Sequence, residues 1–101
     1  MRLIARFVKP LDVISGEGDR GLWYRGGMVV RTLDEREQLV SFTAFGEDKC
    51  NQCKALHVDD VVQVNFVPES REFGDRWFTD LRMISVQLVG GAVQRPKEGG
   101  E

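Results

Sequence analysis

The sequence predicts an all-β fold with one short helix, and three observations carry that expectation. Apolar and polar residues alternate with period two through most of the chain, the pattern of half-buried strands. The one stretch with helical spacing, Asp48 to His57 (DKCNQCKALH), falls after three such strands and before two more. A glycine pair, Gly26-Gly27, interrupts the second strand where a closing sheet has to bulge or coil. Five strands with a helix between the third and fourth form a five-stranded Greek-key barrel, the OB-fold. The alternative is a small barrel of the SH3-like kind, which usually lacks a helix at that point.

Each element has a local reason. Leu3 to Ile14 reads as a long first strand bent at Pro10, which donates no ladder hydrogen bond. Ser15 to Gly21 (SGEGDRG) reads as a loop rich in glycine and charge. Leu22 to Leu33 reads as the second strand, and Asp34-Glu35-Arg36 as a tight polar connection to a third strand over Gln38 to Phe45. Gly46 breaks the alternation. In the helix that follows, Cys53 and Leu56 face a core and Asp48 is the expected N-terminal cap. Val58-Asp59-Asp60 turns the chain into a fourth strand, Val61 to Phe73. Gly74-Asp75 is a hairpin turn into a fifth strand, Arg76 to Leu88. Residues 1–88 are thus expected to form one OB-fold domain, and residues 89–101 a flexible polar tail.

Composition narrows the class of function. One hundred and one residues make a single domain, and nothing in the alternating start MRLIARFV resembles a signal peptide. No apolar run approaches the ~18–20 residues that span a bilayer, so the expected location is cytoplasmic, with no membrane partner. The net charge of −2 argues against binding phosphate through bulk positive charge alone. Most of the basic residues are arginine, however, and a guanidinium plane suits stacking and bidentate phosphate contacts.

The richest segment is Glu69 to Met83 (ESREFGDRWFTDLRM), a hairpin in which arginines and aromatic rings are interleaved. Rings offer faces on which a base stacks, and arginines offer charge beside them, the combination that holds single-stranded nucleic acid. Strand periodicity sorts the rest into faces. On strand three, Val40, Phe42 and Ala44 form the core set, which leaves Phe45 as an exposed aromatic beside Ser41 and Thr43. On strand two, Tyr24, Met28 and Val30 lie opposite Trp23, Arg25, Val29 and Arg31, and the second set is the outward stripe. On strand five, Trp77 and Phe78 alternate, so one of them points out; alternation alone leaves open which.

These residues resemble known families. Val40-Ser41-Phe42-Thr43-Ala44-Phe45-Gly46, followed by a short helix, is similar to the third strand of bacterial single-stranded-DNA-binding proteins, and Arg76-Trp77-Phe78-Thr79-Asp80-Leu81 is similar to their fifth. A closer resemblance, over about residues 1 to 86, is to a group of small bacterial OB-fold proteins known mainly as a domain of unknown function. These share the Ser70 to Asp80 run and a tryptophan at the start of strand two, here Trp23. The resemblance implies base stacking at Phe45 and Phe73, and more loosely at Trp23. It also implies a homo-oligomer, dimer or tetramer, and work in DNA replication or repair. The tail departs from the pattern of the single-stranded-DNA-binding proteins, since Glu98-Gly99-Gly100-Glu101 has no apolar tip.

Three motifs invite other chemistry. Gly16-Glu17-Gly18-Asp19-Arg20-Gly21 matches G-x-G-x-x-G, but a strand follows it instead of the helix whose N-terminus would meet a pyrophosphate. It reads as a loop, with Arg20 as a secondary contact. Cys50, Cys53 and His57 lie on one helical face, but a structural zinc site wants four ligands and no second pair exists. Small half-buried thiols are the simpler reading. Glu69, Glu72, Asp75 and Asp80 are interleaved with Arg71, Arg76 and Arg82, so cross-strand ion pairs explain them more simply than carboxylate catalysis.

The expectation is therefore a non-catalytic module without cofactor, metal or small-molecule substrate. It binds single-stranded DNA, in preference to RNA, with little sequence preference. Trp23, Phe45, Phe73 and Trp77 supply stacking, and Arg25, Arg71 and Arg76 neutralise phosphate. The alternative is a protein–protein or oligomerisation module in which the same rings form the contact.

Overall fold

The computed structural model describes residues 1–90. Within them the order is β1 (Arg2–Gly18), β2 (Gly21–Thr32), β3 (Leu39–Phe45), α1 (Glu47–Lys54), β4 (Val61–Phe73) and β5 (Arg76–Gly90). The strands close into a barrel in the order β1-β2-β3-β5-β4, with β4 returning to β1. All neighbours are antiparallel except β3 and β5, which meet in parallel at Thr43 and Arg82. This is the predicted OB-fold with its helix between β3 and β4.

β1 is long because it serves two neighbours. Arg2 to Arg6 pair with Asn65 to Val61 of β4, and Ala5 to Gly18 pair with Thr32 to Gly21 of β2. The register slips by one residue at Val8 and again at Asp12-Val13, so bulges flank Pro10. Such bulges increase local twist and bend a strand, which a small barrel needs to close. The second bulge lies opposite Gly26, so the interruption expected in β2 is carried by β1.

Gly27 shows what closure requires. Its φ is +144°, a region that favours glycine. A Cβ there would lie 1.9 Å from the carbonyl oxygen of Phe42 on β3. Only a glycine lets β2 approach β3 this closely. Inside the barrel, Ala5, Phe7, Met28, Val30, Phe42, Ala44, Val62, Val64 and Met83 are buried together, and Cys50 and Cys53 of α1 seal one end. Phe66 packs on Phe42 with ring centroids 5.0 Å apart.

Several local expectations are corrected. Ser15 to Gly18 belongs to β1, and only Asp19-Arg20 turn the chain, because Gly18 pairs directly with Gly21. The cap of α1 is Gly46, not Asp48; at φ +100° it turns the chain immediately after Phe45 without a side-chain hydrogen bond. The helix ends at Lys54, short of His57. The turn at Val58-Asp59 leads into Asp60, which is buried at 1% exposure, a burial that alternation does not show. Its carboxylate accepts the His57 N–H at 2.9 Å, its carbonyl accepts the Phe7 N–H at 2.7 Å, and the Asp59 N–H donates to the Phe7 carbonyl at 2.8 Å. The path from α1 to β4 is thereby stitched to the first bulge of β1. β5 runs on to Gly90, two residues past the expected strand end at Leu88; residues 91–101 of the expected tail lie outside the described residues.

Two outcomes follow from this packing. Gly27→Ala combines a backbone clash with a strained φ, and is expected to cost roughly 3 kcal/mol or more in urea denaturation. Burial pushes the Cys53 thiol up to about 11 and also raises Cys50, which holds both in the unreactive protonated form at neutral pH. Both thiols should resist iodoacetamide in the folded protein and react in urea.

Candidate nucleic-acid interface

The outer face of β2 and β3 is flanked by two hairpins. One is the distal part of β1–β2. The other is β4–β5, whose outer half, from about Val67 to Phe78, is exposed to solvent. Between them lies a groove of about 470 Å³, lined by Leu11, Asp12, Ile14, Arg25, Gly26, Thr43, Phe45, Arg71 and Asp80. Three of the predicted residues, Arg25, Phe45 and Arg71, therefore meet in one place although they come from β2, β3 and β4. Arg25 and Phe45 are direct cross-strand partners, and the β3–β5 junction at Thr43 forms the floor.

Phe45 is a ridge. On its other side a second recess of about 590 Å³ is lined by Leu22, Trp23, Tyr24, Phe45, Gly46 and Glu47. Phe45 is 48% exposed and Trp23 46%, so each has a ring surface open to a ligand. The indole of Trp23 is held from behind. A Cβ on Gly16 would lie 2.5 Å from its ring, and one on Gly18 would lie 3.6 Å away. The Gly16-x-Gly18 pair is thus a seat for Trp23 across the β1–β2 ladder, in which an aromatic ring covers bare strand backbone.

On the β4–β5 hairpin, cross-strand partners share a face. Arg71 pairs with Phe78 and Phe73 with Arg76, so these four share the face that lines the groove at Arg71. Trp77 pairs with Glu72 and lies on the opposite face. The register thus places Phe78, and not Trp77, beside the groove residues. Trp77 nevertheless remains 67% exposed, because the barrel interior does not extend beneath this part of the hairpin. Phe73 and Arg76 sit at the tip, with Phe73 77% exposed, and line neither the groove nor the second recess. Arg20 sits at the other hairpin's turn.

The groove is not simply positive. Glu69 and Asp80 are direct partners, and each is neutralised by a diagonal arginine: Arg71 donates to Asp80, and Arg82 to Glu69 at 3.1 Å. Asp12 is a further carboxylate at the rim. Arg25 makes no ion pair among the described residues and is the guanidinium most available to an anion. These ion pairs are exposed and worth ~0–1 kcal/mol each, so an incoming phosphate can compete for Arg71.

Other chemistry finds little support in the geometry. The three residues of the Cys50/Cys53/His57 set do not converge: both thiols point into the core, with the Cys53 Sγ 3.8 Å from the Met83 Sδ, while the His57 side chain is 74% exposed. Among the described residues, no group of three or more His, Cys, Asp or Glu is placed to hold a metal ion. No described helix is long and apolar enough to cross a membrane.

Periodicity placed Phe45, Thr43 and Arg25 on outward faces, where the groove lies. It missed Asp12, because the bulge at Asp12-Val13 breaks the alternation of β1. It also missed Glu47, because the turn at Gly46 brings the helix start back against Trp23. The seat predicts a specific consequence. Gly16→Val should displace the indole, shifting its fluorescence to the red, while far-ultraviolet circular dichroism retains the β-sheet spectrum.

Known proteins share this architecture. The mitochondrial single-stranded DNA binding protein Rim1 of S. cerevisiae superposes with a TM-score of 0.63 at 12% identity, over 91% of this chain and 96% of that one. The dimeric N-terminal domain of PriB from Thermoanaerobacter tencongensis superposes with a TM-score of 0.54 at 14% identity, over 88% and 93%. At such identities the likeness establishes the fold. No curated protein matches the sequence. A family profile does, over residues 7–87, which include all five strands in whole or in large part, the helix, and every groove residue. The protein belongs to the family described as Domain of unknown function (DUF3127).

Proposed function

We propose that this protein is a non-catalytic single-stranded DNA-binding module. The observation that carries the reading is the convergence of Arg25, Phe45 and Arg71 in one groove, with the seated Trp23 on the far side of Phe45. A strand laid along β2 and β3 stacks bases on Phe45 and Trp23 and sets phosphates against Arg25 and Arg71. Phe73, Phe78 and Arg76 extend the same face of the hairpin. Each stacked base contributes ~1–3 kcal/mol, so two or three rings give useful affinity without a strongly basic surface. The likeness of fold to a mitochondrial single-stranded DNA binding protein is consistent with this reading.

The opposite face of the hairpin favours a second role, self-association. Trp77 is a large ring turned away from the groove and open to solvent, and large rings of this kind anchor protein contacts. Binding and assembly then use different faces of one hairpin, and neither excludes the other.

Titration with oligo-dT should quench tryptophan fluorescence, and Trp23→Phe should remove most of that signal. With about three arginines engaged, the slope of log affinity against log salt should be roughly −2. Phe45→Ala should weaken binding about tenfold or more. Asp80→Asn should strengthen it by up to about fivefold, because it releases Arg71 from its ion pair. Absence of any retained complex at low salt contradicts the proposal. In sedimentation, Trp77→Ala should shift the protein to a smaller species; a wild type that is already monomeric contradicts the second role.

A further inference from the structure

The recess beyond Phe45 differs in kind from the groove. Its walls are Leu22, Trp23, Tyr24 and Phe45, a slot suited to a flat ring, and its rim carries Glu47. Glu47 is exposed, and its side chain makes no hydrogen bond or ion pair among the described residues. Asp48 follows it in the first turn of α1, with Lys49 next, so the rim is acidic on balance and Glu47 offers acceptors to hydrogen-bond donors. The two sides of Phe45 thus differ in charge: the groove side holds Arg25 and Arg71 together with Asp12 and Asp80, while Glu47 is the one charged residue among the described residues that lines the recess.

An unpaired base offers its Watson–Crick edge to a protein. A carboxylate has two oxygens that only accept. Guanine alone among the common bases presents two adjacent donors on that edge, N1–H and the N2 amino group, spaced to meet both oxygens. Adenine and cytosine set one amino donor beside a ring-nitrogen acceptor. Thymine and uracil flank one N–H with two carbonyls. Each of these places lone pairs against the carboxylate.

We infer that this recess is a guanine site: the base stacks on Trp23 and Phe45 and donates from N1–H and N2–H to the Glu47 carboxylate, while its sugar-phosphate lies toward Arg25. The inference rests on the single-strand reading above and adds a base preference that stacking alone does not give. The indole wall is fixed in advance by Gly16 and Gly18, so little ordering is needed when the base enters.

The test uses a dT oligonucleotide and three derivatives with one central dG, dA or deoxyinosine. Adenine controls for purine stacking, and inosine keeps N1–H but lacks the amino group. The dG oligonucleotide should bind roughly tenfold more tightly than the dA one, the discrimination of a good bidentate pair. Inosine should lose most of that gain. Glu47→Ala and Glu47→Gln should each bring the dG-to-dA ratio close to one. Equal binding of dG and dA by the wild type overturns the guanine site while leaving the single-strand reading standing. So does a dG preference that survives both substitutions. Failure to bind any of the four overturns the single-strand reading itself, and the guanine site with it.

Discussion

The close approach of β2 to β3 at Gly27 is the constraint on which the rest of the structure depends. Without a side chain at that point the two strands draw together until the Phe42 carbonyl occupies the space of a Cβ. The curvature this permits, added to the two bulges of β1, closes five strands over a core of mostly medium-sized side chains. Closure also decides where function can lie. It directs Phe42 and Ala44 inward and Thr43 and Phe45 outward, and the turn at Gly46 then folds the helix start against the back of Phe45. One backbone geometry thereby produces both the sealed interior and the ridge that divides two recesses.

Electrostatics across that ridge is local. The chain carries more acidic than basic groups, yet the groove side of Phe45 holds an uncommitted Arg25 and an Arg71 restrained by Asp80. Intramolecular carboxylates that hold arginines in place lower affinity for phosphate, and they also suppress binding to any polyanion that lacks bases to stack. A site of this composition depends on rings for its free energy and on guanidinium groups for position. That is the reverse of a basic cleft, and under the proposed function it is the means by which a nearly neutral domain would address a charged polymer.

Much of this was legible in the sequence, and the failures have physical causes. Period-two alternation located β4 to the residue, placed Phe42 and Ala44 inside, and left Phe45 outside. It did not locate the ends of β1 and β2, because Gly16, Gly18 and Gly21 read as loop residues. The bare backbone at Gly16 and Gly18 is instead what lets Trp23 lie across the ladder, while Gly21 takes up the positive φ after the turn. It did not decide between Phe78 and Trp77, because both are exposed on a hairpin that outruns the core; only the pairing of Arg71 with Phe78 assigns the face. It placed Asp60 in a turn without showing that it is buried, since a carboxylate satisfied by its own backbone neighbourhood leaves no trace in hydropathy. Asp12 and Glu47 border the two recesses through a bulge and a glycine turn, which interrupt the patterns that sequence reading uses.

The most direct measurement is a map of backbone amide chemical shifts in the free protein and with a short single-stranded oligonucleotide at low salt. The account predicts changes concentrated at Trp23 to Arg25, Thr43 to Glu47 and Arg71, with the surroundings of Trp77 and Glu72 changing less. Changes confined to the Trp77 face, or a spectrum that saturating oligonucleotide leaves unaltered, would contradict it.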